Sequence, residues 1–178
     1  TTIKNQFQTG TCWAFAALSC TESNLIQKGL ENQNVQFSVP SLALSTYANG
    51  GFDESIWDCG GTWMDSSLAM AAHIGLCYDE YEPFVSDGTE ATIVSEEKKG
   101  VCEYQLNYAS TITGGRNAIK NKIKELGGVM VSYYADDLYM TFDNKSYYDP
   151  ETTKYSGINH AVSVVGWDDN YSKSNFLA

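Results

Sequence analysis

The sequence is poor in basic residues. Its 178 residues contain 11 Lys and Arg against 22 Asp and Glu, which gives a formal net charge of −11, and Arg116 is the single arginine. Nucleic-acid binding depends on clustered Lys and Arg side chains that neutralise phosphates. The composition therefore excludes nucleic acid as an expected partner, and the acidic surface is first of all a solubilising one.

Long apolar runs and metal-ligand patterns are also lacking. No apolar stretch approaches the roughly 20 residues of a membrane-spanning helix, so no transmembrane segment is expected. The first residues are polar and carry no signal sequence, so we expect that the sequence starts after any export signal or never had one. The two histidines, His73 and His160, lie far apart, and the five cysteines include no Cys-x-x-Cys pair. Known zinc spacings are therefore missing, and no metal or other cofactor is expected.

What the sequence does have is a folded composition, 43% hydrophobic and 13% aromatic. Hydrophobic spacing predicts helices over residues 11–29, with Thr11 as N-cap, over 39–47 and over 64–75. The later segments are predicted as a strand, a helix and two strands, in the order CEYQLNYASTIT, RNAIKNKIKELGG, VMVSYYA and HAVSVVGW. Helices followed by strands indicate an α+β fold of two lobes, with a boundary near residues 100–110.

Cys12 lies where the first helix is predicted to begin. The partial positive charge of a helix N-terminus lowers a thiol pKa and favours the nucleophilic thiolate. The Cys12 N–H has no acceptor within the helix, and the side-chain amide of Gln6 provides a second donor, so the two can form an oxyanion hole. Gly10 lets a substrate approach the backbone closely. A buried structural thiol is the alternative interpretation, which a Cys-Trp pair alone would favour.

A base for this thiol must come from far along the chain. His160 begins an apolar strand and follows Cys12 by 148 residues, a separation typical of one group of cysteine peptidases. His73 lies on a predicted helix and is interpreted as structural. Cys12 and His160 are therefore the candidate nucleophile and acid/base.

Five segments together resemble the papain-like cysteine peptidases, in that family's order. They are IKNQFQTGTCWAFAA, DCGGTW, GLCYDEYEPF, IKELGGVMVSYYA and INHAVSVVGWDD. The resemblance spans nearly the whole chain. It implies a papain-like α+β fold with a helical lobe over 1–105, which carries the nucleophile, and an antiparallel, barrel-like β lobe over 106–178, which carries the histidine. Together the lobes would form one catalytic domain.

The resemblance implies a cysteine endopeptidase that cleaves peptide bonds through a thioester on Cys12, with His160 as acid/base and Gln6 in the oxyanion hole. It implies peptide or protein substrates and an inhibitory propeptide in the precursor. The residues that it assigns to the substrate backbone or to the pocket for the residue two before the cut are Gly60, Gly61, Thr62, Trp63, Ser132 and Ala161, beside Gly10.

The cysteines depart from the family pattern. Thr9 stands where the family has the cysteine that bonds the counterpart of Cys59, so that disulfide is not predicted. Cys20 and Cys77 are expected to be buried thiols, and Cys102 is left open. Few disulfides, together with the segment GWDDNYSKSNF after the histidine strand, resemble bacterial members. The protein is therefore expected to be secreted or on the cell surface.

The family's Asn-Ser-Trp-Gly motif, whose asparagine orients the histidine, is absent. Asn175 is expected to lie in a loop instead of orienting His160. We expect the sequence to be a C-terminally incomplete piece of a longer domain. Two alternative functions stay open: a non-catalytic binding module that keeps the fold, and an acyl transferase or transpeptidase that uses the same thioester.

Overall fold

A computed structural model describes residues 2–7, 9–43, 75–81, 83–84, 102–140, 146–150 and 157–176. Two helices and four strands lie in these ranges: α1 (Cys12–Gln27), β1 (Leu76–Cys77), β2 (Cys102–Tyr104), α2 (Arg116–Leu126), β3 (Val129–Tyr133) and β4 (His160–Val164). Residues 39–43 are also helical. The predicted helix over 64–75 and the substrate residues Gly60, Gly61, Thr62 and Trp63 lie outside the described residues, apart from Gly75.

Helix α1 begins and ends close to the predicted positions. The carbonyl of Thr11 accepts the N–H groups of Ala14 at 2.9 Å and Phe15 at 3.1 Å. Thr11 is the N-cap residue, as predicted, although its side chain makes no capping hydrogen bond. Gly29 has φ +68° just after the helix, a conformation that commonly ends helices because glycine adopts it without strain.

The first turns of α1 are buried because their side chains are small or apolar on almost every side. Phe37, Val39 and Leu76 pack against them and are at most 3% exposed. Burying a large apolar side chain contributes about 1.5–3 kcal/mol, so this cluster holds α1 firmly. Its fully or almost fully buried members on the helix are Trp13, Ala14, Ala17 and Leu18.

Strands β1 and β2 form a short antiparallel pair. Leu76 is opposite Tyr104 and Cys77 opposite Cys102. The strand predicted from residue 102 onward is shorter than expected, since residues 105–113 have no regular structure. Cys77 is buried as predicted but is disulfide-bonded, so its prediction as a free thiol is wrong. A single sequence does not show which cysteines the fold brings together, so a disulfide cannot be deduced from it.

Strands β3 and β4 pair antiparallel from Val129 opposite Val164 to Tyr133 opposite His160, which confirms both predicted strands. Helix α1 packs against this sheet. The approach is close at Gly128, where an added Cβ would lie 3.2 Å from the Cα of Cys20. Glycine at this position therefore lets the helix and the sheet meet.

Helix α2 confirms its prediction and holds the segment after β4. Lys120 forms an ion pair with Asp169, and the ammonium groups of Lys120 and Lys124 lie 5.5 and 5.4 Å from the centre of the Trp167 ring. Further on, Asn175 lies in an exposed turn of 3-10 helix. No helix among the described ranges is long and apolar enough to cross a bilayer.

Candidate active site

Residues 4–7 and 9–12, which we call the nucleophile turn, lead into α1. The Gln6 amide nitrogen donates to the Thr9 carbonyl at 2.7 Å, and the Gln6 carbonyl accepts from the Thr9 hydroxyl at 2.7 Å and from the Thr9 N–H at 3.2 Å. These reciprocal bonds fix the Gln6 side chain. A primary amide carries two hydrogens, so one remains for an oxyanion.

Thr9 is buried and takes part in a chain of hydroxyl hydrogen bonds. Its oxygen lies 2.6 Å from the hydroxyl oxygen of Thr11, which is also buried. Because the Thr9 hydroxyl hydrogen goes to the Gln6 carbonyl, Thr11 is the donor in that second bond. Thr9 therefore ties the turn together at the position where a disulfide was expected to be missing.

Phe7 gives the turn its sharp bend. Its φ is +51°, which is uncommon for a residue other than glycine. The Phe7 N–H donates to the side-chain oxygen of Asn5 at 2.7 Å. Such a conformation persists where surrounding hydrogen bonds hold it. Here these are the bond from Phe7 to Asn5 and the bonds between Gln6 and Thr9.

A buried ion pair anchors the beginning of the turn to α1. The Lys4 ammonium lies 2.5 Å from a carboxylate oxygen of Glu22, whose side chain is fully buried. The same oxygen accepts the Phe37 N–H at 2.9 Å. Burial raises the pKa of Glu22, and Lys4 acts in the opposite direction. Sequence reasoning missed this pair, although Glu22 is the one charged residue of α1, which was a signal for it.

Cys12 is the first residue of α1 and a free, half-buried thiol. Within the described chain no backbone acceptor takes its N–H, as the sequence predicted for a helix start. Cys20, two turns later, is also free, but burial raises the pKa of Cys20 to about 11. The two thiols therefore differ in environment, and only the first lies at a helix terminus.

His160 is half-buried at the start of β4, and burial lowers the pKa of its imidazole. Its ring meets the Tyr133 ring edge to face, with 5.8 Å between centroids. Both His160 and Cys12 are described, and no hydrogen bond joins them. Catalytic hydrogen bonds are often long without substrate, so His160 stays a candidate although it makes no hydrogen bond to Cys12.

Ser132 and Ala161 are opposite each other in the β3–β4 register. The Ser163 hydroxyl contacts the Cys20 sulfur at 3.1 Å, so this face of the sheet looks towards α1. Alternation along the strands puts Ser132 and Ala161 on the same face. The structure thus brings these two predicted pocket residues together. Gly10 lies in the nucleophile turn. The other predicted substrate residues lie outside the described residues: Gly60, Gly61, Thr62 and Trp63.

Comparison with known proteins adds the family. The sequence matches the family described as papain family cysteine protease over residues 1–178. The chain belongs to the papain family of cysteine proteases. The papain-like α+β fold predicted from the sequence is confirmed by the same comparisons.

Individual relatives of this papain-family chain are distant. It is 27% identical to gamete and mating-type specific protein A of Dictyostelium discoideum over 170 residues, 94% of this chain and 35% of that protein. It is 26% identical to mouse cathepsin K over 178 residues, 99% of this chain and 50% of that protein. The chain spans half or less of the length of these curated relatives.

Among solved structures, the chain is similar to the clostridial cysteine protease Cwp84 after propeptide cleavage. The TM-score is 0.72 at 26% identity, with 98% of this chain and 43% of that chain covered. Another structure of Cwp84 describes it as a surface-layer-associated protein of Clostridium difficile. A cysteine protease structure is thus matched along almost all of this chain.

Proposed function

We propose that this chain carries the catalytic machinery of a cysteine endopeptidase, with residues 1–105 and 106–178 as two lobes of one catalytic domain. Cys12 is the nucleophile, His160 the acid/base, and the Gln6 amide with the Cys12 N–H the oxyanion hole. The observation that carries the proposal is the start of α1. A free thiol and an N–H without a backbone acceptor among the described residues lie there, and the Thr9 carbonyl, three residues earlier, fixes the Gln6 side-chain amide.

The chemistry follows from these groups. His160 takes the proton of the Cys12 thiol, and the thiolate attacks the carbonyl carbon of the scissile peptide while the Gln6 amide and Cys12 N–H stabilise the resulting oxyanion. His160 gives a proton to the leaving amine as the C–N bond breaks, which leaves a thioester on Cys12. His160 then takes a proton from water, the hydroxide attacks the thioester, and the acid product leaves with the thiol restored.

The alignment of α1 with β4 supports this pairing of residues. One contact between them joins the Cys20 sulfur to the Ser163 hydroxyl. Further along, an added Cβ at Gly127, two residues before β3 and so beyond the end of β4, would lie 2.5 Å from the Ser23 carbonyl oxygen, later in α1. Helix and strand therefore run in the same direction from this contact.

The distances from this contact back to the first residue of α1 and to the first residue of β4 are similar, so Cys12 and His160 lie at the same end of the packed helix and strand. From Cys20 back to Cys12 the helix covers about 12 Å, and from Ser163 back to His160 the strand covers about 10 Å. The imidazole leaves the sheet on the face opposite Ser163, because the two are three residues apart in the strand. We infer that it reaches the thiol around the end of the sheet.

The substrates that we propose are secreted or cell-surface proteins of a bacterium, and the precursor would carry an inhibitory propeptide. The surface-layer association stated for Cwp84 and the propeptide cleavage stated for its structure support this proposal. The net charge of −11 favours substrate segments that carry basic residues, because opposite charge raises the rate of encounter.

The test is hydrolysis of a peptide library in ¹⁸O-labelled water by the chain and by its Cys12→Ala variant. We expect one ¹⁸O atom in each new carboxylate from the parent protein and no cleavage by the variant. Added amine separates the acyl-transfer alternative, because aminolysis that outcompetes hydrolysis would replace the peptidase assignment. If neither the parent protein nor the variant cleaves any peptide, the result would instead favour the non-catalytic binding module.

A further inference from the structure

One side of His160 is covered by a tyrosine from the neighbouring strand. The Tyr133 and His160 ring planes are 70° apart in their edge-to-face contact. The two residues are opposite each other in the β3–β4 register, so their side chains leave the sheet on the same face. The aromatic contact therefore joins the first residue of β4 to the last residue of β3.

Tyr133 packs in turn against a second tyrosine, Tyr147. Their ring centroids are 5.4 Å apart, again edge to face. The Tyr147 hydroxyl donates to the Tyr134 carbonyl at 3.0 Å and accepts the Asp136 N–H at 3.3 Å. These bonds fix Tyr147 to the backbone that follows β3, so the Tyr133 ring has a second aromatic neighbour whose position is itself fixed.

The backbone before His160 is fixed as well. The Asn159 side chain accepts the Ala135 N–H at 2.6 Å and donates to the Ala135 carbonyl at 2.8 Å. The Asn159 N–H donates to the Tyr133 carbonyl at 3.2 Å. This pairing continues the ladder past its last residue pair. The freedom that remains at His160 is rotation of its side chain, which the Tyr133 ring restricts.

Resting on the proposed function, we propose that Tyr133 is a positioning residue for His160. Its ring, backed by Tyr147, limits the orientations of the imidazole and so presents it to the thiol of Cys12. Tyr133 touches neither substrate nor reacting atoms in this role. It acts on the reaction through the histidine alone.

The electrostatic surroundings of His160 make the role measurable. Among the described residues, the titratable side chain in contact with the imidazole is Tyr133, with Tyr147 packed against Tyr133 in turn, and burial lowers the pKa of the imidazole. Removing the Tyr133 ring would expose the imidazole to water and raise its pKa towards the ordinary value of about 6.5. Keeping a ring without the hydroxyl would leave the pKa unchanged.

The experiment is an NMR titration of the imidazole C–H signals in a Cys12→Ala background, which removes coupling to the thiol. The chain has two histidines, and a His73→Gln variant assigns the signals. Tyr133→Leu is expected to raise the pKa of His160, while Tyr133→Phe and the control Tyr134→Leu leave it in place. In the protein with Cys12 intact, Tyr133→Leu should lower kcat on the order of tenfold with little change in KM.

Tyr147→Leu is the second variant, because it loosens Tyr133 without removing the contact to His160. It should raise the His160 pKa by less than Tyr133→Leu does, and it decides the question if Tyr133→Leu does not fold. An unchanged His160 pKa in the folded variants, or a Tyr133→Phe protein as impaired as Tyr133→Leu, overturns the proposal. If the parent cleaves no peptide, the proposed function fails separately, since the titration needs no activity.

Discussion

The two ends of the proposed site are held in different ways. The nucleophile turn is fixed by short-range hydrogen bonds between Gln6, Thr9 and Thr11 and by the ion pair of Lys4 with Glu22. The histidine end, by which we mean Tyr133, Tyr147, Asn159 and His160, is fixed by strand register and ring packing. Hydrogen bonds and charges at one end, and aromatic packing at the other, predict different responses to mutation.

The largest expected effect is at the Lys4–Glu22 pair. Lys4→Met would leave a fully buried carboxylate without its cation, and breaking a buried ion pair costs about 3–5 kcal/mol of unfolding free energy. Urea unfolding measures it. The control is Lys28→Met, since Lys28 is exposed and should change stability little. Equal midpoints for the two variants would show that the pair does not anchor the turn.

Gln6→Ala tests the oxyanion hole at the same end. Loss of one such donor typically lowers kcat by about 10²–10³-fold, and we expect a fall in that range with little change in KM. Peptide hydrolysis by Gln33→Ala, which alters an exposed glutamine, provides the comparison. A Gln6→Ala protein with unchanged kcat would remove Gln6 from the mechanism.

Thr9→Val separates local hydrogen bonding from the ion pair. Valine has nearly the same shape, but the buried Thr11 hydroxyl would lose its acceptor, which costs about 1–3 kcal/mol. We expect this loss in urea unfolding, together with a fall in kcat because Gln6 loses a partner. Thr111→Val, at an exposed position, should show neither effect. Stability unchanged in Thr9→Val would contradict the view that hydroxyls tie the turn.

The smallest expected effect concerns the histidine end and pH. Burial lowers the pKa of His160 in the folded protein. Its contribution to stability is therefore fully present above the unfolded value of about 6.5 and is lost as the pH falls through the folded value. In a Cys12→Ala background, His160→Gln should reduce the decline in unfolding free energy between neutral and mildly acidic pH. An unchanged decline would contradict this.

The nucleophile turn and the histidine end also differ in how much of their structure could be predicted from the sequence. Helix α1, Cys12 at its start and Gln6 beside it were predictable because helix caps and short spacings are local signals. Strands β3 and β4 were also predictable from their apolar runs. The pairing of Tyr133 with His160 was not, since register depends on residues far apart in the chain. The disulfide at Cys77 was missed because cysteine pairing cannot be deduced from a single sequence.

The buried pair of Lys4 and Glu22 was missed for a different reason. Lys4 lies just before α1 and Glu22 lies within it. The burial of Glu22, however, depends on another segment of the chain, in which the Phe37 N–H donates to the Glu22 carboxylate. Tertiary packing decides whether a helix carboxylate is solvated or buried. The roles of Cys12, His160 and Gln6 remain predictions until they are measured.

The most direct test of the central claim is where an electrophile reacts on the folded chain. The protein is treated near pH 6.5 with a peptidyl epoxide, and the label on Cys12 and on Cys20 is measured by peptide mass mapping over time. The proposed site predicts rapid labelling of Cys12 and almost none of Cys20, because burial raises the pKa of Cys20 to about 11. Labelling of Cys20 as fast as Cys12, or of neither, would contradict the assignment of Cys12 as the nucleophile.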